Sequence, residues 1–144
     1  REVYYQLGKH GVFLEGTLLK PNMVLSGKSA ATRADANEVG EKTVTCFQRT
    51  VPAAVPGIVF LSGGQSDEEA TANLDAINRY AARVNAPWQL SFSYGRGLQA
   101  APLKAWGGAA SNVATAQQAF LHRSKLTSLA PQGQYSPEME TAGV

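Results

Sequence analysis

Apolar and polar residues along the chain form three successive patterns, each a strand followed by a helix. Residues 12–19 and 57–61 are mostly apolar with few charges, which is typical of parallel strands buried on both faces. Residues 88–93 alternate strictly, so large apolar side chains share one face and polar side chains the other. Strands separated by helices predict an α/β fold with a parallel sheet, and the alternating third strand favours a closed barrel.

Polar residues also mark where the helices begin. Asp35 precedes Glu38 by three residues and Ser66 precedes Glu69 by three, so both are predicted N-caps. The predicted apolar face of the first helix comprises Ala36, Val39, Thr43, Cys46 and Phe47, and that of the second comprises Ala70, Leu74, Ile77 and Ala81.

Two more helices and a loose end are predicted after the third strand. A short helix runs from about Leu98 to Trp106, and a longer one is capped by Ser111. The apolar positions of the longer helix are Val113, Ala116, Phe120 and Leu121. From Ala130 the chain is rich in Pro, Gly and Ser, so we expect it to be loosely held.

Composition narrows the function classes. The formal net charge is +2 and the 13 basic residues are scattered, which argues against a nucleic-acid-binding surface. No apolar run reaches the roughly 20 residues of a membrane span, and we expect neither a signal peptide nor a transit peptide. The single Cys46 is predicted to be a core thiol in a reducing compartment rather than a nucleophile.

Lys20 is the first residue with candidate chemistry, because it ends the first apolar strand directly before Pro21. A solvent-exposed lysine has a pKa of about 10.4, whereas attack on a carbonyl needs the free amine. Desolvation or a neighbouring cation lowers the pKa of the lysines that form Schiff bases. Glu15 is close to Lys20 in sequence, but alternation along a strand would separate their side chains, so we interpret Glu15 as supporting structure.

The other two strands end in sequences suited to binding an anion. Ser62, Gly63 and Gly64 follow the second strand, and Ser93 to Arg96 follow the third. Glycines let backbone N–H groups approach a phosphate, while the serine hydroxyls and the guanidinium supply further donors. Taken singly, a glycine pair can be only a tight turn and Arg96 only a solvated charge. Their convergence with a lysine at successive strand ends predicts a site for a phosphorylated carbonyl compound.

These segments also carry a family resemblance. Residues 14–24, 61–66, 91–96 and 104–108 resemble the C-terminal part of class I fructose-1,6-bisphosphate aldolase, in the family's order and close to its spacing. The resemblance covers the chain up to about Tyr135 and implies the last three strand–helix units, with the terminal helix, of a (β/α)8 barrel. It divides the chain into a barrel portion over residues 1–135 and a flexible tail over residues 136–144.

The resemblance implies a lyase of glycolysis and gluconeogenesis, in the cytoplasm or a plastid. Such an enzyme reversibly cleaves fructose 1,6-bisphosphate into dihydroxyacetone phosphate and glyceraldehyde 3-phosphate, as a homotetramer without metal or other cofactor. Lys20 matches the lysine that forms the imine with the ketose. A substrate phosphate would be held by Ser62, Gly63, Gly64, Ser93, Gly95 and Arg96.

The chain also departs from the family pattern. The family's chain is much longer, and the segments that carry its earlier strands, with the carboxylates and second lysine that move protons, have no counterpart here. General acid–base catalysis contributes about two to four orders of magnitude in rate, so we expect this segment alone to be nearly inactive. It therefore reads as one part of a longer chain, or as a chain completed by a partner.

Two other functions compete with this interpretation. A non-enzymatic phosphate-binding or interaction module would bind an anion without forming an imine. A different Schiff-base barrel aldolase would form the imine without needing a second phosphate on its substrate. The length and order of the family motifs favour fructose-bisphosphate aldolase over both.

Overall fold

The computed structural model describes residues 1–141 and contains the three predicted strand–helix units. The helices are α1 (Glu2–Lys9), α2 (Ala36–Gln48), α3 (Asp67–Arg83), α4 (Arg96–Trp106) and α5 (Val113–Leu129), and the strands are β1 (Leu18–Leu19), β2 (Gly57–Phe60) and β3 (Gln89–Phe92). Short 3₁₀ helices lie at Leu14–Gly16, Ala110–Asn112, Ala130–Gln132 and Pro137–Glu140.

The three strands form one parallel sheet in the order β1-β2-β3, which confirms the predicted α/β class. In the register, Leu18 is opposite Gly57 and Ile58 is opposite Leu90. The central strand β2 is the most buried, and Ile58 and Phe60 have no exposed surface. Because the strands are parallel, their carboxyl ends and the loops that follow them lie at one edge of the sheet.

The first strand is shorter and more exposed than the apolar run predicts. The chain turns before it, because the backbone N–H and the hydroxyl of Thr17 both donate to the carbonyl of Leu14 at 3.0 and 2.7 Å. The predicted strand over residues 12–19, buried on both faces, is therefore wrong. Phe13 and Leu18 are 71% and 64% exposed, and β1 pairs only with β2 within residues 1–141. Glu15 lies in the turn, so strand alternation does not apply to its side chain.

The core lies between the sheet and helices α2 and α3. Phe47 stacks on Phe60 with ring centroids 5.8 Å apart and meets the edge of Trp88 at 6.4 Å. The two helices approach closely at Gly40, where a Cβ would lie 2.9 Å from the carbonyl of Ala76.

Cys46 is exposed, so the predicted core thiol is wrong. The buried face of α2 is formed by Val39, Gly40, Thr43, Val44 and Phe47. Cys46 lies just outside this face, beside Arg49 and Thr50.

The helix starts were predicted with mixed success. Asp35 accepts a hydrogen bond from Glu38 N at 2.8 Å, and Ser66 accepts one from Glu69 N at 3.0 Å, which confirms both N-caps. Ser111 is not a cap, because a 3₁₀ turn occupies Ala110–Asn112 and Asn112 holds the N-cap position of α5. The apolar stripe predicted for α5 is largely exposed, and the buried residues of that helix are Arg123, Leu126 and Thr127.

The segment from Ala130 is packed rather than loosely held. Ala130 is fully buried, Tyr135 is 8% exposed, and the Tyr135 N–H donates to Asp75 Oδ1 at 3.0 Å. This bond links the segment to α3, a contact between distant residues that composition does not reveal. The predicted flexibility of residues 136–144 stays a prediction, and residues 142–144 lie outside the described range. Among residues 1–141, no helix is long and apolar enough to cross a membrane.

Candidate active site

The loops that follow the three strands are joined to one another at the carboxyl edge of the sheet. The Leu61 N–H donates to the carbonyl of Pro21 at 3.1 Å, and the Ser93 N–H donates to the carbonyl of Phe60 at 2.8 Å. The Asn22 amide donates to the Gly63 carbonyl at 3.3 Å. The loops bearing the predicted site residues are therefore neighbours.

Lys20 directly follows β1 and is exposed. Among the ion pairs within residues 1–141, none involves this ammonium group. The carbonyl of the next residue, Pro21, accepts a hydrogen bond from the N–H of Leu61 directly after β2, so the backbone at Lys20 is held beside the loop that contains Ser62. Its exposure leaves the amine accessible to a carbonyl compound in solution.

Ser62 connects the two predicted anion-binding loops. Its hydroxyl is buried and accepts a hydrogen bond from Gly97 N at 3.3 Å, in the first turn of α4. Gly97 allows this approach, because a Cβ there would lie 3.2 Å from both Ser62 and the ring of Tyr94. The loop after β2 and the loop after β3 therefore pack directly against each other.

The remaining predicted ligands surround this contact. Gly63 and Gly64 follow Ser62, and Gly64 has φ +80°, a conformation that glycine adopts without strain. Gly95 is the N-cap residue of α4 and Arg96 is its first residue, and both are exposed. The dipole at the start of such a helix attracts an anion, while the Gly97 N–H is already bonded to Ser62. Arg96 adds a full positive charge at the same end.

A buried tyrosine, missed by the sequence analysis, lies behind the second loop. Tyr94 is 7% exposed, and its hydroxyl donates to the carbonyl of Ala70 at 2.9 Å. Burial raises the pKa of Tyr94 well above its ordinary value, and the Arg123 guanidinium offsets part of this effect. The hydroxyl therefore stays protonated at neutral pH and acts as a donor. Its place inside the Ser-Tyr-Gly-Arg run was the only available signal.

A pair of amides supports the first loop. The Asn73 side chain, on α3, donates to Gln65 Oε1 at 2.8 Å, and Asn73 is 3% exposed. The buried Gln65 Nε2 has no partner within the described residues. The pair ties the residue after Gly64 to the body of α3.

A buried arginine connects α3 to other parts of the chain, and no local sequence pattern predicts it. Arg123 on α5 is 3% exposed and donates to Thr71 Oγ1 at 2.7 Å. It also pairs with Glu140, which accepts a hydrogen bond from the Tyr135 hydroxyl at 2.8 Å. Burial and the hydrogen bond to Glu140 raise the pKa of Tyr135. Arg123 therefore joins α5, the first turn of α3 and the C-terminal segment.

Within residues 1–141, no group of three or more His, Cys, Asp or Glu side chains is arranged to hold a metal ion. The polar groups at the strand ends are instead an amine, hydroxyls, backbone N–H groups and a guanidinium. This set suits a carbonyl carbon and a phosphate.

Comparison with known proteins decides the family. A family model described as glycolytic fructose-bisphosphate aldolase class-I matches residues 1–144. The chain belongs to the class I fructose-bisphosphate aldolases.

Individual aldolases are similar over nearly the whole chain. Fructose-bisphosphate aldolase 2 of Caenorhabditis elegans is 57% identical over 136 residues, which cover 94% of this chain and 37% of that protein. Fructose-bisphosphate aldolase B of Mus musculus is 56% identical over 92% of this chain and 36% of its own length. The chain thus spans little more than a third of the aldolases it matches.

A solved aldolase structure has the same arrangement of elements. Fructose-bisphosphate aldolase from Plasmodium falciparum, in complex with TRAP and a small-molecule inhibitor, superimposes with a TM-score of 0.87 at 50% identity. The match covers 93% of this chain and 38% of that one. The three strand–helix units described above therefore have the geometry of an aldolase.

Proposed function

We propose that the protein carrying this segment reversibly cleaves fructose 1,6-bisphosphate into dihydroxyacetone phosphate and glyceraldehyde 3-phosphate. Lys20 supplies the amine, and Ser62, Gly63, Gly64, Ser93, Gly95 and Arg96 bind a substrate phosphate. The observation that carries the proposal is the adjacency of the three loops, shown by the bonds from Leu61 N to Pro21 O and from Ser93 N to Phe60 O. Aldolases that are 57% and 56% identical over nearly all of the chain support the proposal.

The proposed reaction uses the amine as a covalent catalyst. The free amine of Lys20 attacks the ketose carbonyl, and loss of water leaves a protonated imine. The bond between the third and fourth carbons then breaks, its electron pair moves toward the imine nitrogen, and the aldehyde leaves as the hydroxyl on the fourth carbon loses its proton. The resulting enamine takes up a proton on carbon, and hydrolysis releases dihydroxyacetone phosphate and restores the amine. We propose that groups outside residues 1–144 move the protons in these steps.

The phosphate loops contribute by orientation. A phosphate held by backbone N–H groups, hydroxyls and a guanidinium fixes the ketose carbonyl at one distance from the lysine. Orientation of this kind turns a slow bimolecular attack into a fast step within a complex. In the proposed whole protein, these units complete a (β/α)8 barrel, whose site lies at the carboxyl ends of its strands. We also propose a homotetramer that acts in the cytoplasm without a metal ion.

Trapping the imine tests the proposal. The intact subunit is incubated with dihydroxyacetone phosphate and borohydride, and the reduced adduct is located by peptide mapping. We expect one adduct, on Lys20, and none in Lys20→Met. The matched control is Lys28→Met, another exposed lysine in the loop after β1, which should still be labelled on Lys20.

Absence of an adduct from the folded wild-type subunit would contradict the aldolase mechanism. If the subunit still bound inorganic phosphate, the non-enzymatic anion-binding module would become the better description. If the Lys20 adduct forms but the subunit cleaves ketoses without a second phosphate as well as it cleaves fructose 1,6-bisphosphate, a different Schiff-base aldolase would be favoured.

A further inference from the structure

Two hydrogen bonds hold the loop after β3 and the start of α4 against the loop after β2 and the helix that follows it. On one side, Gly97 N donates to Ser62 Oγ at 3.3 Å. On the other, the Tyr94 hydroxyl donates to the carbonyl of Ala70, in the first turn of α3, at 2.9 Å. Helix α3 begins directly after the loop that contains Gly63 and Gly64. Tyr94 therefore binds the second loop to the helix that immediately follows the first.

The surroundings of Tyr94 hold its ring in one position. The ring lies against Phe92 with centroids 5.4 Å apart and against Gly97, where a Cβ would be 3.2 Å from Tyr94 Cδ2. The helix turn that accepts its hydrogen bond is itself fixed, because Arg123 donates to Thr71 Oγ1 at 2.7 Å. Both ends of the bond are therefore anchored in buried structure.

We propose that Tyr94 is a positioning residue for the substrate phosphate: its buried hydroxyl sets the spacing of the two anion-binding loops without touching the substrate. This inference rests on the phosphate site of the proposed function. A phosphate bound by several donors at once is sensitive to their spacing, because a small displacement lengthens several charge-assisted hydrogen bonds together. Tyr94 lies between Ser93 and Gly95, so a shift of its side chain would displace both of these proposed phosphate ligands.

Tyr94→Phe isolates the hydroxyl, and Tyr135→Phe is its matched control. Both tyrosines are buried, at 7% and 8% exposure, and each donates one hydrogen bond from its hydroxyl. The partner of Tyr135 is Glu140, which keeps its ion pair with Arg123 when the Tyr135 hydroxyl is removed, so this variant leaves the contacts of both loops in place. A purely structural role for Tyr94 predicts similar behaviour of the two variants.

The experiment measures phosphate binding and lysine reactivity separately, in the intact subunit. Inorganic phosphate binding is measured by titration calorimetry, and Lys20 reactivity by borohydride trapping with dihydroxyacetone, which has no phosphate. We expect Tyr94→Phe to weaken phosphate binding by about 3- to 10-fold, because the free energy of the lost hydrogen bond limits how strongly it can favour the loop spacing that binds phosphate. Trapping with dihydroxyacetone should remain at the wild-type level. Tyr135→Phe should leave both quantities unchanged.

Each outcome decides the matter. Equal phosphate affinity in Tyr94→Phe and wild type, or equal losses in Tyr94→Phe and Tyr135→Phe, would overturn the positioning role. A parallel loss of phosphate binding and dihydroxyacetone trapping would also overturn it, because the effect would then be general. Wild type that binds phosphate but forms no imine would refute the aldolase mechanism alone, and Tyr94 would still be judged by phosphate affinity. If Tyr94→Phe does not fold, Phe92→Leu, which removes the ring that packs against Tyr94 with centroids 5.4 Å apart, must show the same selective loss.

Discussion

Residues at the strand ends differ in how far their side chains are buried and hydrogen-bonded. Ser62 is buried, and its hydroxyl already accepts a hydrogen bond from the backbone, whereas Lys20 and Arg96 are exposed. An exposed charged side chain at the start of a helix contributes little to folding but strongly to anion binding. Substitution of Arg96 should therefore affect binding far more than stability.

We predict that Arg96→Gln raises the KM for fructose 1,6-bisphosphate in the intact subunit by about 10- to 100-fold. A hydrogen bond to a charged group contributes about 1.5–3 kcal/mol, which corresponds to that range. The measurement is steady-state cleavage together with a thermal melt, and the melting temperature should be unchanged. Arg83→Gln is the control, because Arg83 is exposed and lies over the Tyr80 ring at the far end of α3. Similar KM values for the two variants would remove Arg96 from the proposed phosphate site.

Sequence reasoning worked best for residues whose role depends on their immediate neighbours. Asp35 and Ser66 were predicted as caps from a three-residue spacing, and both accept the expected hydrogen bond. Arg123 could not be predicted in this way, since its partners Thr71 and Glu140 are 52 and 17 residues away. Cys46 was misassigned because the buried face of α2 turns toward Gly40 and Val44, which leaves Cys46 at its exposed margin.

At the scale of elements, strand β2 was predicted well from its own sequence, whereas strand β1 was not. Strand β2 is central, so its apolar sequence and its burial agree, and it was predicted almost to the residue. Strand β1 is at an edge of the described sheet, and its own Leu18 and the preceding Phe13 are exposed. The predicted stripe of α5 behaves similarly, with Phe120 and Leu121 exposed at 46% and 69%. Sequence identifies which positions are apolar, but what covers them depends on elements far away in the chain.

The close packing of α2 on α3 gives a prediction for Gly40. Gly40→Ala should lower the free energy of unfolding by about 1–3 kcal/mol, because overpacking shifts the helices. The added methyl group would lie 2.9 Å from the backbone of Ala76, which cannot move as a side chain can. Chemical denaturation of the intact subunit measures the change.

Gly8→Ala is the matched control for this helix substitution. Gly8 lies within α1, and a Cβ there would meet no atom within 4 Å. We expect Gly8→Ala to be neutral or to stabilise by about 0.4–1 kcal/mol, through helix propensity and a less flexible unfolded chain. Equal effects of the two substitutions would show that close contact at Gly40 is unimportant.

At the scale of the whole molecule, the buried Arg123 joins three parts of the described chain: α5, the start of α3 and the C-terminal segment. Glu140 is its carboxylate partner and also receives the Tyr135 hydroxyl, while Asp75 receives the Tyr135 backbone N–H. Removing one partner of a buried ion pair leaves an uncompensated charge, which costs more than the pair contributes.

We predict that Glu140→Gln destabilises the intact subunit by about 3 kcal/mol and exposes the segment after Ala130 to proteases. The measurements are chemical denaturation and limited proteolysis followed by mass spectrometry. Glu138→Gln is the control, because Glu138 lies in the same 3₁₀ helix but is exposed. If cleavage sites and stability were the same in both variants, the Arg123 pair would not be what secures this segment.

The strand ends of the candidate site are joined through backbone groups, between Leu61 and Pro21 and between Ser93 and Phe60. Nearly every residue type offers the same backbone donor and acceptor. The exposed side chains at these strand ends, such as Lys20 and Arg96, can therefore be replaced during evolution while the distances between the strand ends persist. Natural selection can then exchange the reacting group or the recognised group one at a time, without rebuilding the frame that carries them.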